Sequence, residues 1–218
     1  MTPAQKLAGF EIDDPTNDPF YVPLDKAAAS DIEGGLLAMF WRPVDFYVDW
    51  SEQAISAMKK MKGARFQNAQ YYFKRGISFS TTGIYCPTFR LSHGSVFDQK
   101  SSNIFCDVLD HKVLLGILSS TLLRYFAKAF INHGVDAQVS ELPIVLPDPA
   151  QCAAIVAVVD DIIAHQKIDT GFDYRPKLAE LDQVIADLYA LTPVERAELS
   201  TWYRRHYPKL NGEAAEEI

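Results

Sequence analysis

Hydrophobic positions change their spacing near residue 110, and the change divides the chain. Before it, short apolar or aromatic runs alternate with turn residues. The runs are Leu36–Trp41, Phe46–Trp50, Gln70–Phe73, Ile77–Ser80, Ile84–Cys86, Thr88–Leu91, Ser95–Phe97 and Asn103–Val108. Arg42-Pro43, Arg75-Gly76, Thr82-Gly83, Pro87 and His93-Gly94 separate them. Runs of this length, rich in aromatic and β-branched residues and punctuated by Gly and Pro, predict a compact antiparallel sheet or an open barrel. One short helix interrupts them over 52–61, started by Ser51 and Glu52 and ending near Gly63.

After Asp110 the period becomes helical. Asp110 caps a predicted helix to about Ile131, apolar on most faces and therefore buried. Residues 132–139 read as a loop, and Leu142–Leu146 as a short strand fenced by Pro143 and Pro147. Asp148-Pro149-Ala150-Gln151 combines an N-cap acid, Pro at the first helical position and Gln at the third. The helix it opens carries Ile155, Val158, Val159, Ile162 and Ile163 on one stripe. A further helix has Leu178, Leu181, Ile185 and Leu188 at spacings of three and four, and Thr192-Pro193-Val194-Glu195 opens a last one to about His206. Residues 1–35, rich in Asp, Pro and Asn and closed by Gly34-Gly35, read as an irregular lead-in, and 211–218 as a frayed tail. The fold class is α+β: a β-rich platform with a central helix over 36–147, then a helical subdomain over 148–210.

Composition narrows the class of protein. The 218 residues are 48% hydrophobic, enough for a real core, which excludes a disordered chain. The most apolar run, Val113–Leu123, is broken by Ser119, Ser120 and Thr121, so no membrane span is expected. The N-terminus has no basic start followed by an apolar segment. Cys86, Cys106 and Cys152 are odd in number and widely spaced, which suits reduced thiols in a cytoplasm.

The signatures of common enzymes are missing. The sequence has no Gly-rich phosphate loop, no GxGxxG, no GxSxG elbow and no His/Cys cluster at zinc spacing. Asp160-Asp161 lies on an amphipathic helix and reads as a solvated face, His93 as a turn residue, and Cys86 and Cys106 as core. No metal or cofactor is expected on this chain.

Charge supplies the main clue to function. Residues 59–100 hold eight Lys/Arg against one acid, Asp98, a local net of +7 in a chain whose net charge is −7. The Debye length at physiological salt is only about 8 Å, so a basic face acts independently of acidic flanks. Within the block, Arg65, Gln67 and Asn68 are residue types that pair bidentately with guanine or adenine in the major groove. Lys74 and Arg75 precede a turn at Gly76 and suit phosphate contact. Ser78, Ser80, Thr81 and Thr82 alternate with Ile77 and Phe79, which gives one sheet face hydroxyls that suit either DNA contact or plain solvation, and Arg90 lies on another strand. Lys59, Lys60 and Lys62 close a helix, where the dipole favours cations whether or not they touch DNA. Tyr71, Tyr72, Phe73 and Phe79 suit either the core or stacking on an unpaired base.

FYVDW (46–50), ARFQNAQYYFKRGISFS (64–80), SVFDQKSSNIF (95–105), LLGILSSTLLRYFAKAF (114–130) and DAQVSELPIVLP (136–147) occur in one order. Together they resemble the C-terminal target-recognition region of single-chain adenine-N6 DNA methyltransferases of the type IIG and BREX phage-defence kinds. The layout is also similar to the recognition domains of type I restriction specificity subunits. ELDQVIADLYALTPVE (180–195) looks like the helical close of the type IIG and BREX proteins. The resemblance implies recognition of double-stranded DNA on behalf of a catalytic domain or subunit that binds S-adenosylmethionine. The methyltransferase motifs are lacking here, so the chain is expected to be no enzyme by itself. It would then be a fragment, one part of a split gene, or a specificity subunit. A module that docks on a methyltransferase or inhibits it, without touching DNA, is the competing expectation. An enzyme with an unrecognised site ranks last.

Overall fold

The computed structural model describes residues 20–26, 36–63, 66, 68–81, 85, 87–97, 101–130 and 139–211. The expectations for the rest of the lead-in, for Ile84, Cys86 and residues 132–138, and for the tail from 212 lie outside the described residues.

Six short strands form two three-stranded sheets. In the first, β1 (Tyr21–Asp25) pairs antiparallel with β2 (Tyr47–Asp49) and parallel with β5 (Val96–Phe97). In the second, β3 (Ile77–Ser80) is central, antiparallel to both β4 (Phe89–Leu91) and β6 (Ser101–Ile104). The expected single sheet or barrel is thus two small sheets, one of them mixed. Tyr21–Asp25 is a strand where an irregular lead-in was expected.

Three predicted strands fail for identifiable reasons. Leu36–Trp41 forms only isolated bridges: Met39 N donates to Leu37 O and Trp41 N to Met39 O, both at 2.8 Å, and Phe40 takes a left-handed φ of 66°. Gln70–Phe73 gives way to a 3-10 turn over Ala69–Tyr71, entered through Asn68 at φ 56° and left through Phe73 at φ 65°. Asn tolerates that conformation better than most residues. Residues 142–146 pair with no strand, since Pro143 contributes no N–H donor. One side chain holds this segment instead: the Tyr189 hydroxyl donates to Pro143 O at 2.6 Å and accepts from Val145 N at 3.3 Å.

Six helices are described. They are α1 (Glu52–Lys60), α2 (His111–Ser119), α3 (Thr121–Phe130), α4 (Pro149–Ile168), α5 (Arg175–Leu188) and α6 (Pro193–His206). The capping boxes at Asp148/Gln151 and Thr192/Glu195 both form. The expected helix from 111 to 131 is broken at Ser120, where α2 and α3 meet at 64°. Ser120 takes an extended ψ of 155°, its hydroxyl donates to Ile117 O, and it accepts from Leu123 N. Hydroxyl side chains compete for backbone groups in this way. No single helix among the described residues is long and apolar enough to cross a membrane.

Val113 to Ser119 are all buried, so α2 is the axis of the molecule, packed on α4 and on β4. One core cluster runs from Leu37 to Leu210, across the expected boundary between residues 147 and 148. Tyr174 ties the two ends of the sequence together, its hydroxyl donating to Leu37 O and accepting from Leu37 N, both at 3.0 Å.

Asp182 on α5 caps α3 across that core, accepting from Thr121 N at 2.8 Å and Thr121 Oγ1 at 2.6 Å. Burial pushes its carboxyl up to about 6, against the Thr121 hydrogen bonds and the Arg124 charge. Between about pH 4 and pH 6 the folded chain therefore keeps a proton that the unfolded chain has released. Stability from this group falls as pH rises through that window and is flat above it. Asp182→Asn removes the titration and keeps an acceptor for Thr121. Its melting temperature relative to the parent should climb from pH 4 to about 6 and then level off.

Candidate nucleic-acid interface

The described residues expected to touch DNA differ in burial. Ser78, Ser80 and Arg90, expected on the DNA-facing surface, point inward instead. β3 is covered on both faces, leaving Ser78 0% and Ser80 1% exposed. Ser80 pairs with Thr88, their hydroxyls 2.7 Å apart. Arg90, 5% exposed, forms an ion pair with Asp25 at 2.5 Å and donates to Ser101 Oγ and Lys26 O. The Ser78 hydroxyl lies within hydrogen-bond reach of the Asp25 carboxylate and the Asn103 side-chain oxygen. These groups form a polar seam: Asp25 ends β1 of the first sheet, and its partners belong to the second. The alternation that suggested a hydroxylated outer face was real, but that face meets another sheet.

Asn68, Lys74 and Arg75 are exposed, as are Lys59, Lys60 and Lys62. Thr81 is half-buried at the end of β3. Arg65, Gln67 and Lys100 lie outside the described residues. No acid occurs in the sequence between Glu52 and Asp98. None of these five exposed cations pairs with an acid among the described residues, whereas three of the six Lys/Arg of α4–α6 do: Arg175 with Asp173, Lys177 with Asp161 and Glu180, Arg196 with Asp187. Asp160 also pairs with Lys112, which fits the solvated-face reading of Asp160-Asp161.

Aromatic rings support this basic surface. Trp50, at the end of β2, meets Phe66, Tyr72 and Phe73 at 5.8, 5.7 and 5.8 Å between centroids. Tyr72 meets Phe97 at 5.1 Å, Phe97 meets Phe105 at 6.4 Å, and Phe105 stacks on Tyr71 at 4.9 Å and 15°. A cation sits at each end of this path: Lys59 Nζ is 5.8 Å from the Phe66 centroid and Lys74 Nζ is 5.1 Å from that of Tyr71. Such contacts contribute about 0.5–1 kcal/mol each at exposed sites. The rings lie outside the main core cluster and form a satellite core under the first sheet.

Two glycines set the loop geometry. A Cβ on Gly76 would lie 2.5 Å from Ile104 O, so only glycine lets the chain after Lys74-Arg75 lie against β6. Gly94 takes φ +67°, and a Cβ there would come within 3.1 Å of Phe73 O. The sequence predicts turns at both; Gly94 lies in a bend, whereas the turn expected at Arg75-Gly76 falls earlier, at Tyr72-Phe73. Sequence reading missed Trp50, Phe66 and Phe105 as the support; the ring density of FQNAQYYF was the available signal.

No protein-family model matches the chain, and no curated protein matches it. Among the described residues no group of three or more His, Cys, Asp or Glu is placed to hold a metal ion.

Removing one partner of a buried ion pair leaves the other uncompensated, at a cost of about 3–5 kcal/mol. Arg90→Ala should destabilise the chain by about that amount in urea unfolding. Arg90→Met with Asp25→Asn should recover most of the loss, because no lone charge remains.

Proposed function

We propose that this chain is the sequence-reading module of an adenine-N6 DNA methyltransferase, in a restriction–modification or phage-defence setting. It grips double-stranded DNA through the surface around Asn68, Lys74 and Arg75. The S-adenosylmethionine-binding catalytic part belongs to a partner domain or subunit. The observation that carries this reading is the set of five exposed cations with no acid partner among the described residues, two of which, Lys59 and Lys74, lie over rings of one aromatic cluster. Cations so placed fix a protein on the phosphate backbone, and an amide beside them reads base edges. The ordered segments resembling target-recognition regions name the enzyme class.

The helical half suits the partner. Residues 141–218 carry seven basic and fourteen acidic residues, a net of −7, and so repel DNA. Phe130 on α3 and Val194 on α6 are 69% and 67% exposed. That exposure also favours the second reading, a module that docks on a methyltransferase without contacting DNA.

Charge reversal separates the two. If four cations meet phosphates, log K for random duplex DNA should fall against log salt with a slope of about −3.6. Lys74→Glu with Arg75→Glu should weaken binding at every salt concentration and make the slope shallower by about 1.8. Capture of a methyltransferase partner should be unchanged. Anisotropy titrations of labelled duplex give both numbers. A parent chain that binds no duplex at low salt would sink the DNA reading, as would a reversal that spares DNA and abolishes partner capture.

A further inference from the structure

We propose that Phe73 is a stacking surface for a nucleobase that has left the double helix, an inference that rests on the DNA reading above. The three consecutive rings at 71–73 do three different things. Tyr72 is 9% exposed and anchors the turn between Trp50 and Phe97. Tyr71 is stacked on Phe105 and carries the Lys74 ammonium, so its ring is already engaged. Phe73 is 48% exposed, and its one ring contact among the described residues is the edge-to-face one with Trp50, at 79°. Among the described residues no ring is stacked on it.

The backbone presents Phe73 against its own preference. A bulky residue at φ 65° is strained, by about 1–3 kcal/mol for such conformations, and strain of this kind persists only where surrounding contacts enforce it. Here Phe73 N donates to Ser95 O at 3.3 Å, and Gly94 packs on the Phe73 carbonyl. A large apolar ring held outward at a conformational cost gains nothing from water. Its neighbours are polar and cationic: exposed Lys74 and Arg75 follow it in the chain, Asn68 opens the same turn, and Lys59 lies over Phe66, which like Phe73 packs on Trp50. A flat apolar face beside phosphate-seeking cations matches a base still attached to its sugar-phosphate chain. A hydrophobic protein partner would explain the ring but not the cations.

The test compares a short random duplex with the same duplex carrying one unpaired 2-aminopurine, by anisotropy and by the emission of the modified base. The parent chain should bind the unpaired probe about tenfold more tightly and quench it, as one base–aromatic stack allows. Phe73→Leu, which keeps apolar bulk but no π-face, should lose the preference and the quenching while its affinity for intact duplex and its circular dichroism stay unchanged. Phe73→Tyr should retain both. Equal binding of the two probes by the parent, or a preference that survives in Phe73→Leu, overturns the proposal and leaves duplex recognition standing. Binding of neither probe at low salt defeats both. Polyglutamate competing as well as DNA would assign the surface to an acidic protein and overturn the stacking role.

Discussion

One buried ion pair holds the β-rich half together. Arg90 and Asp25 come from different sheets, and their side chains are 6% and 10% exposed. Charges withdrawn from water this far are tolerated only when hydrogen bonds replace the lost solvation. Ser78, Ser101 and the Lys26 carbonyl replace part of it, while Arg90 Nη1 finds no hydrogen-bond partner among the described residues. The seam therefore specifies an arrangement more than it stabilises one: a shift of β1 against the second sheet would strand several buried polar groups at once. The ring cluster and its cations ride on the first sheet, so their placement depends on this seam.

A second set of buried polar contacts fastens that half to the helices. Arg124 donates to the Tyr85 carbonyl, reaches Met39 Sδ and lies over the Tyr207 ring. Gln166 donates to Met39 O, and Tyr174 brackets Leu37. All three hold the segment around residues 37–39, which sits among α3, α4 and the start of α5. Burial pushes Tyr174 far up from the ordinary phenol range, so it stays a neutral hydroxyl that both donates and accepts. Hydrophobic residues supply the contact area, and these few polar groups decide how the elements meet.

What the sequence disclosed depended on the range of the forces involved. Helix ends were legible because caps act within four residues: Asp148 with Gln151 and Thr192 with Glu195 mark their own boundaries. The apolar stripe of α4 and the strand at β3 were legible for the same reason. The break at Ser120 was less so, because it depends partly on Asp182 reaching Thr121 from 61 residues away. The inward aim of Ser78 and Arg90 was hidden for a like reason. A period-two pattern tells that a face is polar, not whether it meets water or a second sheet. Lys74 and Arg75 were found correctly as exposed because the turn beside them is local, whereas the ring path beneath them joins residues from 50 to 105 and has no local signature.

The chain uses its cations in three ways, and the contrast explains where a polyanion would bind. Arg90 and Arg124 are buried and spent on structure. Arg175, Lys177 and Arg196 on the outer helices are neutralised by nearby carboxylates at 2.6–3.1 Å. Among the described residues, the surface from α1 through residues 68–75 gathers five exposed cations with no acid partner, two of them, Lys59 and Lys74, beside rings; Lys167, Arg204 and Arg205, also exposed without an ion pair, belong to the acidic helical half. A ring holds an ammonium weakly, by about 0.5–1 kcal/mol, and unlike a carboxylate it does not cancel the charge. A phosphate can therefore claim Lys59 or Lys74 without breaking an ion pair, and it gains the released counterions as well. The same phosphate arriving at the outer helices would have to compete with Asp161, Asp173, Glu180 and Asp187. Acidic overall charge and a basic working surface are thus compatible: several acids of the helical half neutralise their own neighbours, and among the described residues no ion pair joins an acid to the exposed cations from α1 through residue 75.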